Sequence, residues 1–182
     1  SHIDADYLGM SEEEADAWEA NAERRFRLFA ESVECDAART LTFPGMQELS
    51  YRTALEGGDA LVLLPMFKRP GSPFELKLQV VEADRLCNKD NASDTDTLAG
   101  GVETDTHGAP VNYHIMRSHP GSTSHQSREW NVVPAFGKKT GRRNVLHLFD
   151  KRRPGQRRGV PYLAPVIESL KQLGRYTDAE LM

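Results

Sequence analysis

Any chemistry in this chain has to come from its histidines, its cysteines or its charged clusters. Five of the six histidines fall between His107 and His147, so a metal site is the first question. Structural zinc takes four closely placed nitrogen or sulfur ligands, usually in short paired spacings. His114, His119 and His125 have no paired cysteines beside them, and Cys35 and Cys87 stand far apart without a CxxC. The histidines read as exposed or hydrogen-bonded side chains, and the cysteines as reduced thiols. His147, inside an apolar run, reads as a packed or hydrogen-bonded ring rather than a general base. Residues 88–96 have the acid density of a calcium loop but lack the Gly and terminal Glu of an EF-hand. Gly137-Lys138-Lys139-Thr140 would need a Gly at position 132 to end a phosphate-binding loop, and Val132 stands there. GxSxG, HExxH and the dinucleotide glycine fingerprint are absent, and no pair of carboxylates is set apart by spacing. The sequence therefore assigns no catalytic residue, no cofactor and no metal ligand, and reads as a non-enzyme.

Charge segregation is the stronger signal. The formal net charge is −4. Acids dominate residues 1–60, most densely at Glu12, Glu13, Glu14, Asp16, Glu19 and Glu23. Between residues 138 and 158 the acid Asp150 faces Lys138, Lys139, Arg142, Arg143, Lys151, Arg152, Arg153, Arg157 and Arg158. These residues are the candidate contact set, either for DNA phosphates or for an acidic protein surface. The two clusters flank a short strand, and pairing of that strand is expected to bring them onto neighbouring loops. Few aromatics interleave them, which argues against single-strand stacking.

The elements that must position these charges give an α+β expectation: N-terminal helices, a mainly antiparallel region of β-hairpins, and a C-terminal helix. Ser11 and Glu14 have capping-box spacing ahead of a helix over 12–34. Its Ala15, Trp18, Ala22, Phe26, Phe29 and Val33 recur at helical steps and should face a core. A second helix runs from the Thr42 N-cap to Gly57-Gly58, with Met46, Leu49 and Thr53 on one side. The apolar run 60–66 predicts a strand covered on both faces. Phe74, Leu76, Leu78 and Val80 alternate with Glu75, Lys77 and Gln79 to predict a half-buried strand, pairing with 60–66 across the Pro70–Pro73 loop. Residues 98–103 and 110–117 flank Asp105-Thr106-His107-Gly108 as a second hairpin. Segments 88–96 and 118–127 read as loops, and 129–136 and 144–149 as strands. From Val160-Pro161 a helix should bury Leu163, Ile167 and Leu170.

In domain terms the chain reads as one fragment, with a helical part (1–58), a β-rich part (59–149) and a basic turn with the C-terminal helix (150–182). Both ends look cut: Ser1-His2 has the look of a tag scar, and Leu181-Met182 lies within a helical pattern. Hydrophobic content of 38% and the lack of a signal peptide or a long apolar run weigh against membrane insertion and secretion.

Several short motifs share one pattern. They are Leu8-Gly9-Met10-Ser11, Ala17-Trp18, Glu34-Cys35-Asp36, Glu56-Gly57-Gly58-Asp59 and Leu78-Gln79-Val80-Val81-Glu82-Ala83-Asp84-Arg85. Gly100-Gly101-Val102-Glu103 with Gly108-Ala109-Pro110-Val111 continues it. The closing run is the most specific: Asn144-Val145-Leu146-His147-Leu148-Phe149, Arg153-Pro154-Gly155-Gln156, Arg158-Gly159-Val160-Pro161 and Leu163-Ala164-Pro165-Val166-Ile167. In these motifs the chain resembles the lambda-type phage portal proteins.

The resemblance implies a non-enzymatic structural subunit of a ring at one capsid vertex, a dodecamer at full length. Double-stranded DNA passes through such a ring without sequence specificity, during packaging by a terminase and later during ejection. Capsid and neck or tail proteins are the other implied partners. The implied location is the virion's portal vertex, with assembly in the host cytoplasm. The family has no catalytic residues to carry over. The alternative from charge alone is an independent, non-specific nucleic-acid-binding module built on residues 138–158.

Overall fold

The computed structural model describes residues 4–122 and 129–180. His125 and the ends of the chain lie outside that set. The elements are mixed α and β, with helices toward both ends and antiparallel sheets between them. Two compact units form. One comprises Ser1–Gln47 with Pro65–Leu78, the other Glu48–Leu64 with Gln79–Met182.

In the first unit, α1 (Ala5–Leu8) is followed by α2 (Glu12–Ala30). The capping box forms as expected: Ser11 N–H donates to Glu14 Oε2 at 3.0 Å, and Glu14 N–H donates to Ser11 Oγ at 3.3 Å. The helix stops at Ala30 rather than Glu34. Ser32 accepts the Glu34 N–H and starts a separate 3-10 turn, Val33–Cys35, the usual competition between a hydroxyl and a continuing helix. Ala15 and Phe29 are buried, but Trp18 and Phe26 are more than half exposed and Val33 is exposed as well. The expected apolar face is thus only partly covered. Phe29 meets Phe74 edge-on and Phe26 meets Phe43.

Cys35-Asp36 anchors this unit. Asp36 is buried, and its carboxylate accepts from the N–H groups of Ala38, Thr40 and Leu41 and from the Thr40 hydroxyl. Burial opposes its ionisation, yet these donors outweigh burial and hold its pKa below the ordinary value. Ala37 N–H donates to Leu78 O and Leu78 N–H to Cys35 O, while Arg69 donates to the carbonyls of Asp36 and Ala37.

The alternation over 74–80 misplaces one residue. Lys77, expected at solvent beside Glu75 and Gln79, is fully buried. Its ammonium donates to Ser72 Oγ at 2.6 Å and to Phe74 O at 2.7 Å. Regular pairing covers only β2 (Gln79–Val81), so upstream of it the Pro/Gly loop curls back and supplies acceptors for the cation.

Helix α3 (Phe43–Gly57) begins in the first unit and continues into the second. Met46 and Ser50 are its buried residues, whereas Leu49, expected on the buried side, is 39% exposed. In the second unit β1 (Asp59–Leu63) is the central strand of a sheet ordered β2-β1-β7, where β7 is Val145–Phe149. The expected pairing with β2 holds, with Leu61 opposite Val81, and Met66 bridges Leu76 across the first-unit loop. A second antiparallel sheet runs β3 (Leu98–Ala99), β4 (Val102–Thr104), β5 (Pro110–Met116) and β6 (Trp130–Pro134). The Asp105–Gly108 turn forms as expected. The strand expected over 98–103, however, is itself a hairpin, turned at Gly100-Gly101. A Cβ on Gly101, at φ +82°, would lie 2.6 Å from the Cys87 nitrogen, so only glycine lets the two backbones approach. Leu61, Val81, Leu86, Val102, Tyr113, Ile115, Ala135 and Val145 form the core, drawn from both sheets.

Beyond the sheets, a 3-10 turn (Ala164–Val166) leads into α4 (Ile167–Glu180). The helix starts later than expected, after Pro165. Leu163, Ile167 and Leu170, expected to face a core, are 58%, 45% and 56% exposed. The apolar stripe exists, but packing within the described residues leaves it open.

Asp36→Ala should destabilise the first unit by about 3 kcal/mol, since several N–H donors lose a charged acceptor at once. Urea unfolding followed by circular dichroism measures this, and a loss below about 0.5 kcal/mol would show that Asp36 does not organise the 36–41 loop.

Candidate interaction surface

The basic stretch splits into two patches. Lys138, Lys139, Arg142 and Arg143 sit on the turn between β6 and β7, all exposed. Lys151, Arg152 and Arg153 follow β7 and are also exposed. The patches leave opposite ends of a five-residue strand, roughly 16 Å apart along its rise. The expectation of neighbouring loops therefore fails: pairing of β7 with β1 separates the clusters. On the first turn Gly141 adopts φ +64°, and the Arg143 guanidinium lies 5.0 Å over the Phe136 ring. On the second, Arg152 pairs with Asp150 at 3.0 Å, and the Gln156 side chain ties Arg152 N–H to Arg158 O.

Arg157 and Arg158 are only half exposed and turn inward. Arg157 donates to Asp96 O and lines a groove of 740 Å³ with Asp94, Arg153 and Arg158. Arg158 is committed within the fold. Its Nε and Nη2 donate to the two carboxylate oxygens of Asp59, Nη1 donates to Leu86 O and Gly100 O, and Nη2 donates also to Ala83 O. Asp59 has no solvent exposure. It also accepts from His147 Nε2 at 3.0 Å and from Gly159 N–H at 3.2 Å. Burial alone would push this carboxyl pKa up. The hydrogen bonds from His147 and Arg158, with the charge of Arg158, bring it down to about 2.

The backbone fits around this pair. Gly58, at φ +90°, and Gly159 come so close that a Cβ on Gly159 would lie 1.7 Å from Gly58 O. Tyr162 N–H donates to Leu55 O at the end of α3. Gly57-Gly58-Asp59 and Arg158-Gly159-Val160-Pro161 were legible as separate motifs, but their meeting was not. A lone carboxylate at the head of an otherwise apolar strand was the available signal, because such a group demands a buried partner.

The other described histidines, His107, His114 and His119, lie beside different groups. His114 Nε2 lies 3.3 Å from Glu103, which also accepts from Asn112. His119 approaches Asp84 at 3.7 Å, and His107 lies on the Asp105 turn. His147 is the hydrogen-bonded, packed ring expected, edge-on to Tyr113.

Residues 1–182 match the family described as phage portal protein, lambda family. The chain is 27% identical over 177 residues to Portal protein B of Escherichia phage lambda and, over the same length, to the portal protein of Escherichia phage N15. Each alignment covers 96% of this chain and 33% of the relative. A probable portal protein of Halomonas phage phiHAP-1 is 27% identical over 165 residues, covering 88% of this chain and 30% of that protein. The chain thus spans about a third of the length of the curated relatives it matches.

The Asp59 pair makes stability depend on pH in one direction. A carboxyl pKa depressed on folding from 3.8 to about 2 contributes stability fully present above pH 3.8 and lost as pH falls through about 2, worth about 2 kcal/mol. Asp59→Asn should flatten that part of the pH–stability curve. An unchanged slope between pH 4 and pH 2 in denaturant titrations would place the ionisation elsewhere.

Proposed function

The chain belongs to the lambda family of phage portal proteins, and on that premise we propose that it is part of a portal subunit acting as a structural element of the ring at a capsid vertex. The match across residues 1–182 carries this reading. The ring would conduct double-stranded DNA without sequence specificity and dock a terminase, capsid proteins and a neck or tail, with a dodecamer as the expected full-length assembly. Its place would be the virion, after assembly in the host cytoplasm. No described helix is long and apolar enough to cross a membrane.

The physical features support a subunit that works by assembly. A closed ring needs two different, complementary faces on each subunit, joined head to tail. Here an acidic helix and two basic turns occur on one chain, and the apolar stripes of α2 and α4 stay largely open. Large exposed apolar faces mark surfaces that another protein covers. As contact residues we retain Lys138, Lys139, Arg142, Arg143, Lys151, Arg152 and Arg153. Arg157 and Arg158 act through the fold, holding the second turn in place. An independent nucleic-acid-binding module fits less well, because the cations do not converge on one surface.

The full-length subunit, purified and viewed by negative-stain electron microscopy, should form rings with a central channel, and a strictly monomeric protein would contradict the proposal. The present chain should bind generic duplex DNA weakly and without sequence preference. A patch making about four phosphate contacts should lose about a hundredfold in affinity between 50 and 200 mM salt. Tight, salt-resistant, sequence-dependent binding would point to the nucleic-acid module instead.

A further inference from the structure

We propose that the β6–β7 turn is the seat for helix α2 of a second copy of this chain, so that neighbouring subunits meet acidic helix against basic turn. This assignment rests on the portal-subunit reading and names the partner of one of its basic patches. The turn has the make-up of a protein interface rather than a phosphate track. Lys138, Lys139, Arg142 and Arg143 are all exposed on the turn, and Phe136, under the Arg143 guanidinium, is still 39% exposed. Apolar area beside charge is what a protein partner covers, whereas a DNA backbone offers phosphate and sugar.

Helix α2 offers the complement. Glu12, Asp16, Glu19 and Glu23 follow one another at steps of four, three and four, which places them on one line along the helix. Glu12, Asp16 and Glu23 are exposed. Like charges at such spacings destabilise an isolated helix, and a cationic surface laid against the line removes that repulsion. Phe26, 55% exposed, flanks the line and supplies apolar area to meet Phe136. Both halves of the charge match are on this chain, so a second copy is the occupant. The contact joins two unlike surfaces, and is therefore of the head-to-tail kind that closes rings.

A charge swap in the full-length subunit tests this. One variant carries Glu12→Lys, Asp16→Lys and Glu23→Lys; the other carries Lys138→Glu, Lys139→Glu and Arg142→Glu. Each variant alone should need at least about tenfold more protein to form rings, because like charges then face each other across the contact. Their equimolar mixture should assemble at close to the parent's concentration, with the two variants alternating. Sedimentation velocity reads the assembly and circular dichroism the folding of each variant. Should the lysine variant misfold, Asp16→Asn with Glu23→Gln replaces it, and a smaller weakening of assembly is expected. Single variants that form rings like the parent would overturn the proposal, as would folded variants whose mixture stays unassembled. A glutamate variant that forms normal rings but loses DNA packaging would overturn it in favour of a DNA-facing turn. A parent that forms no rings would instead bring down the portal-subunit reading itself.

Discussion

One buried carboxylate imposes the constraint on which the second unit depends. An ion with no solvent exposure costs several kcal/mol unless it is fully paired. Asp59 meets that demand with Arg158, His147 and the Gly159 N–H. The same guanidinium reaches the carbonyls of Ala83, Leu86 and Gly100. One side chain thereby connects β1, the 3-10 turn Ala83–Arg85 with Leu86 after it, and the β3–β4 turn. Gly58 and Gly159 follow from this geometry, because no larger residue lets the two backbones close on the pair. The end of the basic segment is thus a structural clasp, and the charges before it are carried on a fixed support.

Local signals made much of the framework legible. The Ser11–Glu14 capping box, the apolar run of β1, the pairing of β1 with β2, the Asp105–Gly108 turn and the strands β6 and β7 all follow from spacing and turn chemistry. What escaped was set by long-range partners. Asp59 and Arg158 lie 99 positions apart, and no periodicity reports such a pairing. Lys77 sat in a correct alternation yet went inward, because a loop supplied two acceptors for its ammonium. Periodicity correctly found the apolar stripes on α2 and α4, but a stripe says which face wants cover and not whether the chain provides it.

Those open stripes are consistent with the family to which the chain belongs. Exposed apolar area of this kind marks a surface that another protein covers. Among the described residues His114, His147 and His119 each lie beside a different carboxylate, Glu103, Asp59 and Asp84. The two basic patches are separated by β7, so each can meet a different surface, and the fold decides how they are presented.

The most direct test of this account is a double-mutant cycle on Asp59 and Arg158, using Asp59→Asn, Arg158→Met and the pair, with stability read from urea unfolding. The account predicts that the substitutions are strongly non-additive, with a coupling of about 3 kcal/mol, because either alone leaves a buried group without its charged partner. Additive losses, with coupling below about 0.5 kcal/mol, would contradict it and show that the segment after β7 is held by its backbone alone.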